Sequence, residues 1–301
     1  MKLRVATRGS ALARWQADHV VALLGKADPR LDVEVVVVET SGDRRLDVPI
    51  WELGGKGVFV KEVQAAVLDG RADLAVHSAK DLPSATPDGL VIAAVPERAD
   101  VRDALVGARL TDLGHGATVA TGSLRRRAQL AHLRPDLAFV GVRGNMATRV
   151  DRAGHDGVDA VVVACAALDR LGWADRIAER LGVDVVLPQV GQAALAVECR
   201  SDDDDIRSAL GDIEHGPTRR AVDAERGFLA ELGGDCSLPA AAHATLAGDG
   251  LRIRGLIATP DGTTVVSHEV TGPAAAGAAL GRSVARHLLD QQGGAALLDG
   301  G

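Results

Sequence analysis

The segment LRVATRGSALARWQADHVVALLGKADPRLDVEVVVV, residues 3–38, reads as a strand, a helix and a second strand. Leu3–Ala6 is a short apolar strand, and Ser10 can cap the helix that follows it. That helix carries apolar side chains at helical spacing, at Leu12, Trp15, Val20, Leu23 and Leu24. Val33–Val38 is rich in β-branched residues, which is typical of a strand buried on both faces. The segment therefore predicts the start of an α/β sheet.

The alternation of strand and helix continues outward from this segment. Ala72–Val76 and Leu90–Val95 are further strands, and Gly54–Gly57 opens a helix before them. The spacing of this glycine stretch does not match a phosphate-binding P-loop. A polar break at Pro96–Asp100 precedes a second α/β series, with strands near Ala104–Val106, Thr118–Ala120, Ala138–Val142 and Ala160–Cys165. The rhythm predicts mostly parallel strand pairing, in which helices connect successive strands.

The pattern changes after about residue 216. The acidic run Asp202–Asp205 is a solvated helix start, and Thr218–Leu232 is a helix. Leu251–Ala258 and Thr264–Val270 then alternate apolar and polar residues on either side of Pro260-Asp-Gly262, which predicts a β-hairpin. A helix over Ala274–Leu289 follows the hairpin. These elements predict a small α+β domain at the end of the chain.

Composition narrows the function classes. Of 34 basic residues in the 301-residue chain, 5 are Lys and 29 are Arg, yet the net charge is −7. A net-negative chain with three Trp, three Phe and no Tyr is not drawn to nucleic acid by overall charge or by base stacking. No apolar run approaches a membrane span, and Arg4 and Arg8 interrupt any signal-peptide core. The three widely spaced cysteines fit a cytoplasmic protein without a disulfide framework or a Cys-x-x-Cys metal site.

Three segments place Arg beside a tight turn that opens a helix. They are Thr7–Ser10, Thr121–Arg126 and Arg143–Arg149. A helix start presents free N–H groups to anions, and Arg adds bidentate hydrogen bonds to carboxylate or phosphate. Such turns line the crevice at the carboxyl ends of parallel strands, so two facing domains would form an arginine-lined cleft. Each turn alone is as readily a capped helix with solvated Arg, but three together favour an anion site.

Two further segments carry groups capable of chemistry. Asp81 follows the strand Ala72–Val76, where a carboxylate could hold a cationic intermediate and move a proton. Taken alone, a loop Asp more often caps the next turn, and His77 is as readily a structural histidine as a catalytic one. Cys236 lies in a Gly-rich polar loop, where its thiol could be a nucleophile or the point of covalent attachment of another group. Taken alone, a cysteine without a chemical role is the commoner case.

Taken together, eight stretches in chain order resemble the porphobilinogen deaminase (hydroxymethylbilane synthase) family. They are ATRGSALARWQ (6–16), GGKGVFVKE (54–62), ADLAVHSAKDLP (72–83), TGSLRRRAQL (121–130), VRGNMATR (142–149), LDRLGW (168–173), LPQVGQAALAVECR (187–200) and GGDCSLP (233–239). The resemblance implies two α/β domains of the type II periplasmic-binding-protein topology and a small α+β C-terminal domain. It places domain 1 at 1–96 and 190–214, domain 2 at 97–189 and domain 3 at 215–301.

The resemblance also implies a reaction. Four porphobilinogen molecules would be deaminated and joined head to tail into the linear tetrapyrrole hydroxymethylbilane, on a dipyrromethane cofactor held through a thioether to Cys236. Asp81 matches the catalytic aspartate of the family. That aspartate assists loss of the amine, stabilises the azafulvenium cation and accepts hydrogen bonds from pyrrole N–H groups. Porphobilinogen carries an acetate and a propionate, so the growing chain is a polyanion that suits arginines.

The remaining site residues follow from the same resemblance. The residues implied to bind the cofactor are Ser10, Lys80, Asp81, Ser123, Arg125, Arg126 and Gly144, besides Cys236. Those implied to bind substrate are Arg8, Ser10, Lys56, Phe59, Arg143, Arg149 and Arg170. The loop Ser41–Val48 matches a flexible lid. The family implies a cytoplasmic monomer, and we expect no metal, nucleic-acid or membrane partner.

The sequence departs from the family pattern at three positions, and two other functions remain open. Glu52 stands where some members carry Lys, and Ala193 and Asp235 replace glycines that are common elsewhere. Asp235 puts negative charge beside the attachment cysteine. The main alternative is a non-catalytic two-domain protein that captures an anionic ligand, which would not need Asp81 or Cys236. An anion-sensing regulator is a second alternative, although no DNA-binding helix pair is evident.

Overall fold

The computed structural model of the chain describes residues 2–40, 60–233 and 238–299. Its internal contacts divide it into two compact units. Unit 1 comprises residues up to Ala99 together with Ala193–Arg219, and unit 2 comprises Asp100–Gln192 and everything from Arg220 onward. The predicted division into three domains stays a prediction.

The secondary structure follows the expected alternation and then changes to antiparallel strands. In chain order the elements are β1 (Lys2–Arg8), α1 (Ala11–Ala27), β2 (Asp32–Val38), α2 (Lys61–Leu68), β3 (Leu74–Ser78), β4 (Leu90–Ala94), β5 (Asp103–Val106), β6 (Thr118–Ala120), α3 (Leu124–Leu133), β7 (Ala138–Val140), α4 (Met146–Val150), β8 (Ala160–Ala164), α5 (Cys165–Arg170), β9 (Glu179–Leu181), β10 (Leu195–Arg200), α6 (Asp204–Gly211), α7 (Gly216–Glu231), β11 (Ala240–Ala247), β12 (Gly250–Ala258), β13 (Val265–Pro273), α8 (Gly277–Gln291) and α9 (Gly294–Asp299). Short 3₁₀ helices lie at Ala79–Asp81, Ala174–Arg176 and Ala274–Ala276.

Unit 1 contains a five-stranded sheet in the order β2-β1-β3-β10-β4. Side chains of β1 alternate between two apolar clusters. Leu3 and Val5 pack with α1, whereas Ala6 packs with Val63 and Val67 of α2. The sheet is therefore covered by helices on both faces, as expected for an α/β layer structure.

Unit 2 contains a second five-stranded sheet in the order β7-β6-β8-β5-β9. The two sheets share one arrangement: three parallel strands, then a strand antiparallel to both of its neighbours, then an edge strand. β5 is the first strand after the chain enters unit 2, and β10 is the first strand after the chain returns to unit 1. This repeated order confirms the expected pair of type II periplasmic-binding-protein α/β layers.

Three local expectations were wrong. Pairing is mixed rather than mostly parallel, because the inserted strand in each sheet makes two antiparallel pairings. β2 is an edge strand with Val37 48% exposed, so its run of valines is not buried on both faces. Cys165 begins α5 instead of ending β8, and its N–H donates to the Arg102 carbonyl.

The C-terminal part of unit 2 is an antiparallel sheet in the order β11-β12-β13, which confirms the predicted α+β character. Phe228 of α7, Ile253 of β12 and Leu288 of α8 are fully buried in its core. A smaller cluster joins Ala128 of α3 to Leu256 of β12. Because α3 packs against this sheet, the C-terminal part and the β5–β9 sheet form one unit.

No helix within residues 2–40, 60–233 and 238–299 has both the length and the apolar character needed to cross a membrane.

Candidate active site

The turn between β1 and α1 presents Arg8 and Ser10 at the carboxyl end of β1. Ser10 is the N-cap of α1, and its Oγ accepts from the Ala13 N–H at 3.2 Å. Thr7 donates its hydroxyl to the Ala13 carbonyl at 3.1 Å, which ties the strand end to the first helical turn. The capping that the sequence predicts at Ser10 is therefore present, and the half-buried Arg8 stands beside it.

Asp81 lies just beyond the neighbouring parallel strand β3, on the 3₁₀ helix Ala79–Asp81. The Ala79 N–H donates to the Ala194 carbonyl at 3.0 Å, and Gln16 Nε2 donates to Ser78 Oγ at 2.8 Å. These bonds hold the strand end between β10 and α1. Asp81 is half-buried, and within the described residues its carboxylate has no hydrogen-bond or ion-pair partner. A carboxylate held in this way can accept an N–H group or face a cation.

His77 points into the interior of unit 1. Its side chain is about 4% exposed, and its Nε2 lies 3.1 Å from Oε2 of the fully buried Glu198. Gln64 Nε2 also donates to Glu198, at 2.9 Å to Oε2. His77 Nε2 forms no hydrogen bond within the described residues, and the amide of Gln64 donates to the buried carboxylate. The enclosed position of His77 favours its structural interpretation.

In unit 2, two predicted anion-binding turns meet at the carboxyl edge of β6 and β7. Ser123 caps α3, with its Oγ accepting from the Arg126 N–H at 3.4 Å. The turns approach so closely that a methyl group at Gly122 would lie 2.9 Å from the Val142 carbonyl oxygen. Gly144 has a φ of +99°, a left-handed conformation in which glycine is favoured.

The second of these turns carries two of the predicted arginines. Asn145 caps α4 by accepting from the Thr148 N–H at 3.0 Å. Arg149 Nε donates to the Gly144 carbonyl at 2.9 Å, and this hydrogen bond stabilises the turn that precedes α4. Arg143 is half-buried, and its Nη1 is fully buried with no hydrogen-bond partner in the described part of the chain.

Arg125 and Arg126 are buried against a residue that the sequence did not single out, Asp103 of β5. Arg126 donates to Asp103 Oδ1 through Nε at 3.0 Å and Nη2 at 2.7 Å. Arg125 Nη1 lies 2.8 Å from Asp103 Oδ2. Burial alone would raise the pKa of the Asp103 carboxyl, but the charges of Arg125 and Arg126 outweigh it and hold that pKa well below its usual range.

The two adjacent arginines differ in how many of their nitrogen atoms have a hydrogen-bond partner. Nε and Nη2 of Arg125 are buried and, across the described ranges, have no hydrogen-bond partner, whereas each Arg126 nitrogen donates to Asp103 or Val162. Arg170, at the end of α5, is also mostly enclosed, and burial lowers the pKa of its guanidinium to about 10. It is still charged near neutral pH. Unit 2 thus presents cationic donors suited to carboxylates.

In unit 1, Arg8 and Ser10 lie where β1 ends, and Lys80 and Asp81 lie just beyond β3. In unit 2, Ser123, Arg143 and Gly144 lie on the turns after β6 and β7, and Arg149 and Arg170 lie in the last turns of α4 and α5. Arg125 and Arg126 turn inward to Asp103. Lys56, Phe59 and Cys236 lie outside the described residues, as do the predicted lid Ser41–Val48, Glu52 and Asp235. The local sequence signal for Asp103 is a charged residue at the head of the otherwise apolar strand Asp103-Ala-Leu-Val106.

Comparisons with known proteins identify the family of the chain. Residues 3–208 match the family described as "Porphobilinogen deaminase, dipyromethane cofactor binding domain", and residues 220–290 match "Porphobilinogen deaminase, C-terminal domain". A porphobilinogen deaminase of Syntrophomonas wolfei is 49% identical over 301 residues, covering 98% of this chain and 97% of that protein. One from Pelobacter propionicus is 46% identical over 300 residues, covering 99% and 96%.

Among solved structures, the methionine-binding protein MetQ matches 77% of this chain and 94% of its own, with a TM-score of 0.45 and 12% identity. The family matches and the relatives rest on nearly the whole length of the sequence. The chain belongs to the porphobilinogen deaminase family.

Proposed function

We propose that Asp81 is the catalytic carboxylate of the reaction that this family catalyses. The chain is a hydroxymethylbilane synthase, a transferase that deaminates four porphobilinogen molecules and joins them head to tail. The observation that carries the proposal for Asp81 is its half-buried carboxylate at the end of β3, without an ion-pair partner in the described residues. A pure anion-binding protein would not need such a carboxylate.

The chemistry explains why a carboxylate is suited to this position. Loss of ammonia from the aminomethyl group of porphobilinogen leaves a cation that is delocalised over the pyrrole ring. A fixed carboxylate stabilises that cation and accepts the ring N–H, whereas an amide carries no charge to offset it. The pyrrole carbon that attacks the cation must later lose a proton, and Asp81 can accept it.

The second part of the proposal concerns the dipyrromethane cofactor that belongs to this family. When bound, it supplies the pyrrole end to which the first substrate is joined. The residues present fit such a group, because its carboxylates match the buried, unpartnered donors of Arg125 Nε and Nη2 and Arg143 Nη1 within the described part. We propose a thioether to Cys236, with the cofactor also held by Ser10, Lys80, Asp81, Ser123, Arg125, Arg126 and Gly144.

Substrate carboxylates are assigned to a further set of cations. The proposed substrate-binding residues are Arg8, Ser10, Lys56, Phe59, Arg143, Arg149 and Arg170. Arg170 supports this assignment, because its guanidinium stays cationic near neutral pH although burial lowers its pKa to about 10. Ser10 and Asn145 cap helices whose first N–H groups strengthen the positive potential at these turns.

We further propose that the chain works as a monomer in the cytoplasm. Cys165 and Cys199 are both buried free thiols, which is consistent with a reducing compartment. Porphobilinogen is the proposed small-molecule partner, and no nucleic-acid or membrane partner is assigned.

Intact mass spectrometry tests the cofactor assignment. We expect the purified chain to be heavier than its sequence by one dipyrromethane, and a proteolytic digest to place that added mass on the peptide containing Cys236. Cys236→Ala should lack the added mass, whereas the matched variant Cys199→Ala should keep it. An unmodified wild-type chain with full activity, or added mass on another peptide, would show that the assignment is wrong.

A further inference from the structure

We propose that Arg180 is a positioning residue for Arg170, the arginine assigned to a substrate carboxylate. Arg180 lies on β9 and forms ion pairs with Asp100 and with Asp169, the residue that precedes Arg170 in α5. The inference rests on the proposed function, because it takes Arg170 as a substrate ligand. It gives a part in substrate binding to a side chain that acts through its neighbours and not by contact with the substrate.

The first argument is the shortness of α5. The helix has six residues, Cys165–Arg170, and the residue before it, Ala164, has no side-chain oxygen that could cap it. Isolated helices shorter than about 12–15 residues are marginal in water, so α5 depends on contacts with the rest of unit 2. Its first four residues are buried, whereas Asp169 is exposed and Arg170 is half-buried. The contacts of Asp169 therefore bear on where the last turn of α5 lies.

The second argument is the geometry of the Arg180 guanidinium. Its Nη2 donates to Asp169 Oδ1 at 2.6 Å, and its Nη1 donates to Asp169 Oδ2 at 2.9 Å. Nη1 also donates to Asp100 Oδ2 at 3.0 Å. The hydrogen bond to Asp169 is the main reason that the pKa of Arg180 is raised above its ordinary value. A bidentate contact of this kind fixes the orientation of the carboxylate as well as its distance.

The third argument is that the other end of the network is itself anchored. Arg102 donates to Asp100 through Nε, at 3.0 Å to Oδ1, and through Nη2, at 2.8 Å to Oδ2. The carbonyl of Arg102 accepts from the N–H of Cys165, the first residue of α5, at 3.0 Å. The segment from Asp100 to Arg102 thus holds both ends of α5, the start through a backbone hydrogen bond and the end through Arg180.

The charge of Asp169 gives Arg180 a further effect. The C-terminal end of a helix carries a partial negative charge, so a carboxylate in the last turn is unfavourable unless a cation offsets it. The side chains of Arg180 and Asp169 are 29% and 34% exposed, and single pairs with that exposure contribute little. Bidentate pairs within a network of several charges contribute more. We therefore expect loss of the pair to displace Arg170 without unfolding the chain.

Substitutions at both ends of the ion pair separate positioning from charge. Arg180→Gln removes a positive charge and Asp169→Asn removes a negative charge, so the long-range attraction of an anionic substrate would change in opposite directions. Loss of the contact between the two residues has the same consequence in both variants and in the double variant. Arg254→Gln is the matched control, because Arg254 of β12 pairs with the exposed Asp184 at 3.3 Å in the same unit.

The experiment measures KM for porphobilinogen, kcat, dipyrromethane loading by intact mass, and melting temperature for each purified chain. We expect Arg180→Gln and Asp169→Asn each to raise KM about three- to fivefold, with kcat within about twofold of wild type. The double variant should raise KM no more than either single variant. Dipyrromethane loading should match wild type in all three, because Arg170 is not among the proposed cofactor ligands. Arg254→Gln should keep the wild-type KM.

Several results would overturn the inference. An unchanged KM in either single variant would mean that the contact has no part in substrate binding, and KM shifts in opposite directions would mean that charge alone acts. Additive increases in the double variant would mean that the two residues act independently. A parallel fall in dipyrromethane loading would mean that the pair supports unit 2 in general. Arg170→Gln should raise KM at least about tenfold; a wild-type KM in that variant would instead contradict the substrate contact assigned to Arg170 under the proposed function.

Discussion

Replacing Asp81 by Asn should separate catalysis from stability. The carboxylate has no partner in the described residues, so the near-isosteric amide removes no ion pair there. The free energy of unfolding should change by less than about 0.5 kcal/mol. Loss of one preorganised electrostatic contact to a developing charge is worth about 3–4 kcal/mol, which corresponds to a 100- to 1000-fold fall in turnover.

Asp73 provides a control with the opposite signature in the same unit. Its carboxylate accepts from Arg4 Nε at 3.1 Å, from Nη2 at 2.7 Å and from the Arg4 backbone N–H at 2.8 Å. The Arg4 side chain is 38% exposed, so solvent weakens its ion pair with Asp73. Asp73→Asn should therefore lower the free energy of unfolding by about 1–2 kcal/mol. Its melting temperature should fall by a few degrees while turnover at 25 °C stays normal.

The assay follows porphobilinogen consumption by each variant, together with thermal unfolding and intact mass. Asp81→Asn should retain the added dipyrromethane mass and the wild-type melting temperature. Turnover of Asp81→Asn within about threefold of wild type would refute the catalytic role. Equal loss of turnover in folded Asp73→Asn would show that any lost carboxylate in unit 1 has the same effect, and would refute the reasoning equally.

Two further predictions concern the C-terminal part and the thiols. Gly262 has a φ of +77° and packs so closely on α3 that a methyl group there would overlap the Ala128 carbonyl. Gly262→Ala should therefore lower the free energy of unfolding by about 1–3 kcal/mol. Gly248→Ala should lower it by less, because Gly248 also has a positive φ, +59°, but lies in open surroundings. Equal melting temperatures for the two variants would contradict the close packing. Burial raises the pKa of Cys165 to about 12 and of Cys199 to about 11, so iodoacetamide at pH 8 should leave both unmodified until the chain is denatured. Rapid alkylation of either thiol in the native protein would contradict the burial.

Local chemistry made part of the fold predictable. Ser10 and Ser123 cap helices because a side-chain oxygen placed just before an amphipathic segment can accept a free helical N–H. The turn at Pro260–Gly262 was similarly evident, since alternating strands flank it. The departure at Ala193 also has a structural consequence. Its φ is +67°, a left-handed conformation that costs a non-glycine residue about 1–2 kcal/mol.

Contacts between distant residues could not be predicted in the same way. Asp103 meets Arg126 across 23 positions, and Glu198 meets His77 across 121, so no local spacing reveals either buried pair. The exposure of β2 likewise depends on which strand takes the sheet edge, a property of the whole topology rather than of its valines. The sequence therefore predicts the arginines as anion ligands but does not reveal the carboxylate of Asp103, which lies against two of them.

The stoichiometry of ammonia release tests the account most directly. Purified chain is incubated with porphobilinogen, the ammonia is assayed, and the product is identified by mass spectrometry. We predict four ammonia molecules for each hydroxymethylbilane formed. Porphobilinogen that binds and is recovered unchanged, with no ammonia released, would contradict the assignment and would leave the chain an anion-binding protein.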